Sequence, residues 1–284
     1  ERARTGSVAL GAFWARRALR IFPLYYLVLL LHVAWAWRLP AGSDMRANFF
    51  ASLPYYATYT GNWLAPPTSG VQPFAFSWSL AVEEQFYLAW PPLLALARSR
   101  GLAAAALAAL VAVDALAERG ALGLTGIPLK MVTSLSTPIL LGALAAVLLD
   151  APAVARRALP VLTHPAASLA AWALFGASFA VGLPLLLTHA VFALLVAQTA
   201  HGARGPWAAL LEARPLAFVG KVSYGVYLLH VTVLGGVKAA LPMTRESPLL
   251  LFAIGAPLSI AAGAASYALV ERPLLSLRAR LRRG

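Results

Sequence analysis

The stretch Ser77–Leu96, "SWSLAVEEQFYLAWPPLLAL", sets two adjacent carboxylates, Glu83 and Glu84, at the head of a run otherwise suited to the interior of a lipid bilayer. It decides the fold class because the same pattern surrounds it. Of 284 residues, 61% are hydrophobic and 12% charged, against roughly a quarter charged in an average soluble domain. Apolar stretches of about 18 residues recur along the chain, each long enough to cross a hydrocarbon core as a helix. The expected fold is all-α: a polytopic transmembrane helix bundle forming one domain over residues 1–284. Cysteine is absent, which excludes disulfides, thiolate metal sites and a cysteine nucleophile. No histidine falls at ligand spacing from Glu83 or Glu84, so no metal is expected there.

Spans are expected near residues 19–37, 79–97, 101–118, 132–150, 166–185, 187–200, 216–236 and 249–270, eight in all. The segment 46–63, "RANFFASLPYYATYTGNW", is aromatic and polar and contains Pro54 and Gly61. Basic residues decide its place, because cytoplasmic loops carry the excess of Lys and Arg. If it does not cross, 17 of the 23 basic residues share the side that holds both termini. If it crosses, that side keeps 9 of the 23. Both ends are therefore expected in the cytoplasm and 38–78 outside, which a reporter fused after Gly70 would test. The net charge of +13 is dispersed among membrane loops, a distribution that argues against nucleic-acid binding. The basic C-terminal tail reads as an anchor to anionic membrane lipid.

Polar residues inside such helices are costly and mark sites. In "FWARRALRIFPLYYL" (13–27), Arg16, Arg17 and Arg20 line one side of a helix entering the membrane. Two readings stand: a topological anchor, or a clamp for phosphates, which guanidinium groups bind through paired hydrogen bonds. Ser79, Glu83 and Trp90 share a helical face, while Glu84 points about 100° away and suits the helix end. In "GKVSYGVYLLHVTVL" (220–234), Ser223, Tyr227 and His230 follow at i, i+4 and i+7, with Tyr224 beside them. His32, His164, His189 and His201 read as structural or surface residues. Asp114 is a buried acid with no partner assignable from sequence.

Four motifs, "RRALRIFPLYY" (16–26), "SWSLAVEEQFYLAWP" (77–91), "GKVSYGVYLLH" (220–230) and "VERP" (270–273), together resemble the membrane acyltransferase-3 family of bacterial O-acyltransferases. The resemblance implies a ten-helix bundle that takes an acyl group, commonly acetyl, from acyl-CoA on the cytoplasmic side. The group passes to a hydroxyl of a cell-surface polymer, a lipid-linked saccharide or another glycosylated acceptor. Acyl-CoA is then a donor substrate, with no resident cofactor, and the location is the bacterial inner membrane. Eight spans plus two upstream would make ten, and the opening "ERARTGSVALGAFWARRALR" resembles the loop that follows the family's second helix. The family's first-helix histidine, regarded as catalytic, cannot be pointed to in this sequence.

By motif, Arg17 and Arg20 correspond to the donor-associated pair, Ser79 and Glu83 to the Ser-Leu-x-x-Glu segment, and Ser223, Tyr224, Tyr227 and His230 to the Ser-Tyr segment. Glu83, His230 and Tyr227 are the expected catalytic residues; Ser79, Ser223 and Tyr224 are expected to support them. A departure lies at 133–142, "TSLSTPILLG", where Leu135 and Thr137 occupy places that hold Arg and Asp in many relatives. A transporter, or a catalytically silent relative, remains the alternative.

Overall fold

The computed structural model describes residues 9–66, 72–202 and 206–280, the side chains of 206 and 277–280 excepted. Arg2, Arg4, Arg204, Arg282 and Arg283 of the charge count, and the fusion point at Gly70, lie outside them. The described residues form helices and connecting turns without strands. They fall into two compact units, one built from Ala9–Ala81 and Arg214–Gly284, the other from Val82–Ala213.

Each expected span corresponds to a helix, while the count of eight is loose. Among the described residues, five helices are long and apolar enough to cross a membrane, Leu10–Ala36, Arg100–Glu118, Gly126–Leu149, Arg214–Ala240 and Pro248–Ser276. A sixth arises if Pro152–Leu162 and Pro165–Val181, bent by 77° at their break, count as one. Trp78–Leu96 is a 19-residue helix whose two acids, Gln85 and Pro91–Pro92 reduce its apolar character. Leu185–Ala200, at 16 residues, spans about 24 Å, short of a core of about 30 Å.

In the first unit, helix α1 (Leu10–Ala36) begins nine residues before the expected span and runs on through Pro23. Helix α2 (Asp44–Ala57), capped by the Ser43 hydroxyl, has only 14 residues. It ends at a turn where Tyr59 is left-handed, φ 54°. The segment 46–63 thus contains no membrane-length helix. It packs instead on α1 through rings: Tyr25 stacks on Tyr59 at 4.3 Å, and Tyr25 donates its hydroxyl to the Tyr56 carbonyl at 2.7 Å. Burial pushes the Tyr56 phenol above its usual range, keeping it protonated to donate to Gln72 Oε1 at 2.6 Å.

Helices α12 (Arg214–Ala240) and α13 (Pro248–Ser266) pair antiparallel in close contact. A Cβ on Gly263 would stand 2.8 Å from the Val226 nitrogen, and one on Gly225 would meet the Ser266 hydroxyl. Small residues permit this approach, which supplies the dispersion contacts that hold helices together in lipid. After α13 the chain makes one π-helical turn, Tyr267–Glu271, then continues as α14 (Arg272–Arg280). Pro273 lacks the N–H that an α-helical ladder needs there, and the widened turn takes up the misfit.

The second unit contains α5 (Arg100–Glu118), α7 (Thr137–Leu149), α9 (Pro165–Val181) and α10 (Leu185–Ala200), with α5 against α7 and α10 against both α7 and α9. Asp114, 1% exposed, does have a partner: the Thr137 backbone N–H and hydroxyl both donate to its Oδ2, at 2.9 and 2.5 Å. An acid from one helix thereby caps the start of another, satisfying a donor that helix geometry leaves orphaned. The Arg100–Asp150 pair at 2.7 Å is exposed and adds little.

Candidate active site

Helices α1 and α12 run side by side in the same direction within the first unit. The Tyr224 hydroxyl donates to the Ile21 carbonyl at 2.6 Å, and Thr232 meets His32 farther along both helices. Arg16, Arg17 and Arg20 sit at the start of this pair. His32, twelve residues beyond Arg20, is about 18 Å along the axis.

Between these ends lies a polar cluster in an apolar helix pair. The Tyr227 hydroxyl donates to the Phe76 carbonyl at 2.5 Å and lies 2.5 Å from the Ser79 hydroxyl. A phenol has one proton; with it directed to Phe76, Ser79 is the donor to Tyr227. Tyr227 therefore ties α12 to the 3₁₀ turn Ala75–Ser77 and to the start of helix α4 (Trp78–Leu96). Glu83 follows Ser79 by one turn on α4 and is half-buried.

Two histidines flank this point. His230 Nδ1 lies 2.5 Å from the Tyr227 carbonyl, and His32 Nδ1 lies 2.8 Å from the Val28 carbonyl. A carbonyl only accepts, so in both rings Nδ1 carries the hydrogen and Nε2 keeps the lone pair. Both rings lie near Phe76, at 5.5 Å for His230 and 6.4 Å for His32. Thr232 stands 3.4 Å from His32 Nε2, its hydroxyl directed so as to donate.

The expected site residues are thus unequally assembled. Ser79, Tyr227 and His230 come together, and Tyr224 anchors α12 to α1. Ser223 is exposed and donates to the Gly220 carbonyl of its own helix at 2.9 Å. Arg17 lies over the Phe13 ring at 5.6 Å, and Arg20 is exposed. Sequence reasoning took His32 as structural and could not see its partner Thr232, 200 residues away, and it named Glu271 only within the VERP motif. Glu271 is 8% exposed, and an acid directly after the apolar run ending in Val270 was the available signal. Among the described residues no three His, Cys, Asp or Glu gather as metal ligands would.

A helical membrane protein with imidazole and hydroxyl groups in its apolar interior and arginines at the head of the same helices has the makings of a group-transfer enzyme. The sequence model of the acyltransferase-3 family, an acyltransferase domain, matches residues 4–268. The chain belongs to that family. No curated protein and no solved structure matches it.

Proposed function

We propose that this acyltransferase moves an acyl group, acetyl in the simplest case, from acyl-CoA to a hydroxyl of a cell-surface polysaccharide, lipid-linked saccharide or other glycosylated acceptor. The observation that carries this reading is the Tyr227–Ser79–His230 cluster where α12 meets the start of α4, beside α1 with Arg16, Arg17 and Arg20 toward its head. Arg17 and Arg20 bind phosphates of the donor, since guanidinium forks match phosphate oxygens. His230 Nε2 is the base: it takes the proton of the acceptor hydroxyl as that oxygen attacks the thioester carbonyl. The C–S bond breaks, and the proton passes to the departing thiolate. Ser79 and Tyr227 position the reacting groups, and Glu83 orients the acceptor. The enzyme resides in the bacterial cytoplasmic membrane with both ends in the cytoplasm, so the acyl group crosses part of the bilayer between the arginines and Glu83.

The test is purified protein in vesicles given acetyl-CoA and a hydroxyl-bearing saccharide. Thiol release coupled to acceptor acetylation is expected, with coenzyme A binding lost in Arg17→Ala and Arg20→Ala. Solute flux without an acyl donor, or coenzyme A binding unchanged in both variants, would overturn the reading.

A further inference from the structure

The π turn Tyr267–Glu271 has no part in the chemistry above, yet it holds a cation of one neighbouring helix and packs against a second helix that carries three. The turn and α14 pack against α1. At its first residue, Lys221 of α12 sets its ammonium 4.9 Å from the centre of the Tyr267 ring, a cation–π distance. At its last, the buried Glu271 accepts from the Ser266 hydroxyl at 3.4 Å, in a turn packed against the helix that carries Arg20. Glu271 is inside; Arg20 and Lys221 are exposed. Arg16 and Arg17 lie within a turn of Arg20. Arg16, Arg17, Arg20 and Lys221 against the buried Glu271 leave an excess of positive charge, and the exposed head of Lys221 is held over the Tyr267 ring. Such a cradle suits a multiply charged anion, because cations already held in place lose little freedom on binding it.

We infer that the π turn organises a phosphate site in which Lys221 is a third cation beside Arg17 and Arg20, and Glu271 is the positioning residue for Arg20. The inference rests on the donor reading above and extends it: the ligand class is the phosphate esters of the nucleotide end of acyl-CoA. The π turn is the natural organiser because its first residue holds Lys221 and the turn itself packs against the helix that carries the arginines.

Coenzyme A binding to the purified protein in uncharged detergent tests this by calorimetry. Lys221→Gln and Glu271→Gln are each expected to weaken it about tenfold, the scale of one charge-assisted phosphate contact. Lys221→Arg and Glu271→Asp should restore most of the affinity. S-acetyl-pantetheine lacks the nucleotide phosphates and should be acetyl donor equally well for wild type and all four variants. A parallel loss with S-acetyl-pantetheine would mean general damage and overturn the inference. So would unchanged coenzyme A binding in Lys221→Gln while Arg17→Ala weakens it, which leaves the donor reading standing; indifference in Arg17→Ala and Arg20→Ala as well removes both. Added phosphatidylglycerol should not displace coenzyme A. Displacement in wild type that Lys221→Gln abolishes would assign the cradle to lipid headgroups instead.

Discussion

The hydroxyl of Tyr227 lies 2.5 Å from that of Ser79, joining helices 148 residues apart in the chain. Tyr227 is held in addition by its bond to the Phe76 carbonyl. Tyr227→Phe removes two hydrogen bonds from a low-dielectric site and strands the Ser79 hydroxyl, a loss of about 1–3 kcal/mol. Ser79→Ala removes one of the same bonds. Denaturant unfolding of the two single variants and the double variant should show a double loss smaller than the sum of the singles; strict additivity would show that the pair is not coupled.

Replacing His230 by Gln keeps a polar side chain but removes the proposed base. Turnover should fall by about a hundredfold or more, with coenzyme A affinity at the wild-type level. A matching loss of donor affinity would place His230 in binding rather than proton transfer.

The contact between α12 and α13 makes a sharp steric prediction. Gly263→Ala puts a methyl 2.8 Å from the Val226 nitrogen, and overpacking of this kind costs about 1–3 kcal/mol. Gly235→Ala, which meets nothing within 4 Å, should change stability by less than about 0.5 kcal/mol. Thermal unfolding in detergent separates the two.

Asp114→Ala deprives the Thr137 N–H and hydroxyl of their acceptor and should destabilise the second unit by about 2 kcal/mol. Asp114→Asn keeps an acceptor oxygen and should cost less. Equal losses would mean that the charge, rather than the cap, is what matters at this position.

Because the chain has no cysteine, a single introduced thiol reports its own side of the membrane. Ala15→Cys should react with an impermeant reagent only from the cytoplasmic face, and Gly42→Cys only from the outer face. Reaction of both from one face would remove the transbilayer separation of donor and acceptor.

The helices were legible because burial in lipid demands long apolar runs, and run length is a local property of the chain. Arg214–Ala240 and Pro248–Ser276 were read nearly to their ends for that reason. The count of spans was less legible: Trp78–Leu96 and Leu185–Ala200 form helices, but acids and prolines in one and shortness in the other set them apart from the five long apolar helices. Periodicity also put Ser223, Tyr227 and His230 on one stripe, yet it could not tell that Ser223 would bond to its own backbone while Tyr227 reached Phe76 and Ser79.

The sequence by itself therefore determined the membrane class, the helices and the family motifs, all of which depend on hydrophobic length and on residue order. Only the tertiary structure decided which polar groups meet: Tyr227 with Ser79, His32 with Thr232, Asp114 with Thr137. A helical pattern reports which face a residue occupies and nothing about what lies opposite. The opposing group is chosen when helices pack, because a buried polar atom in an apolar interior must find its partner across the interface or bear the full cost of leaving water.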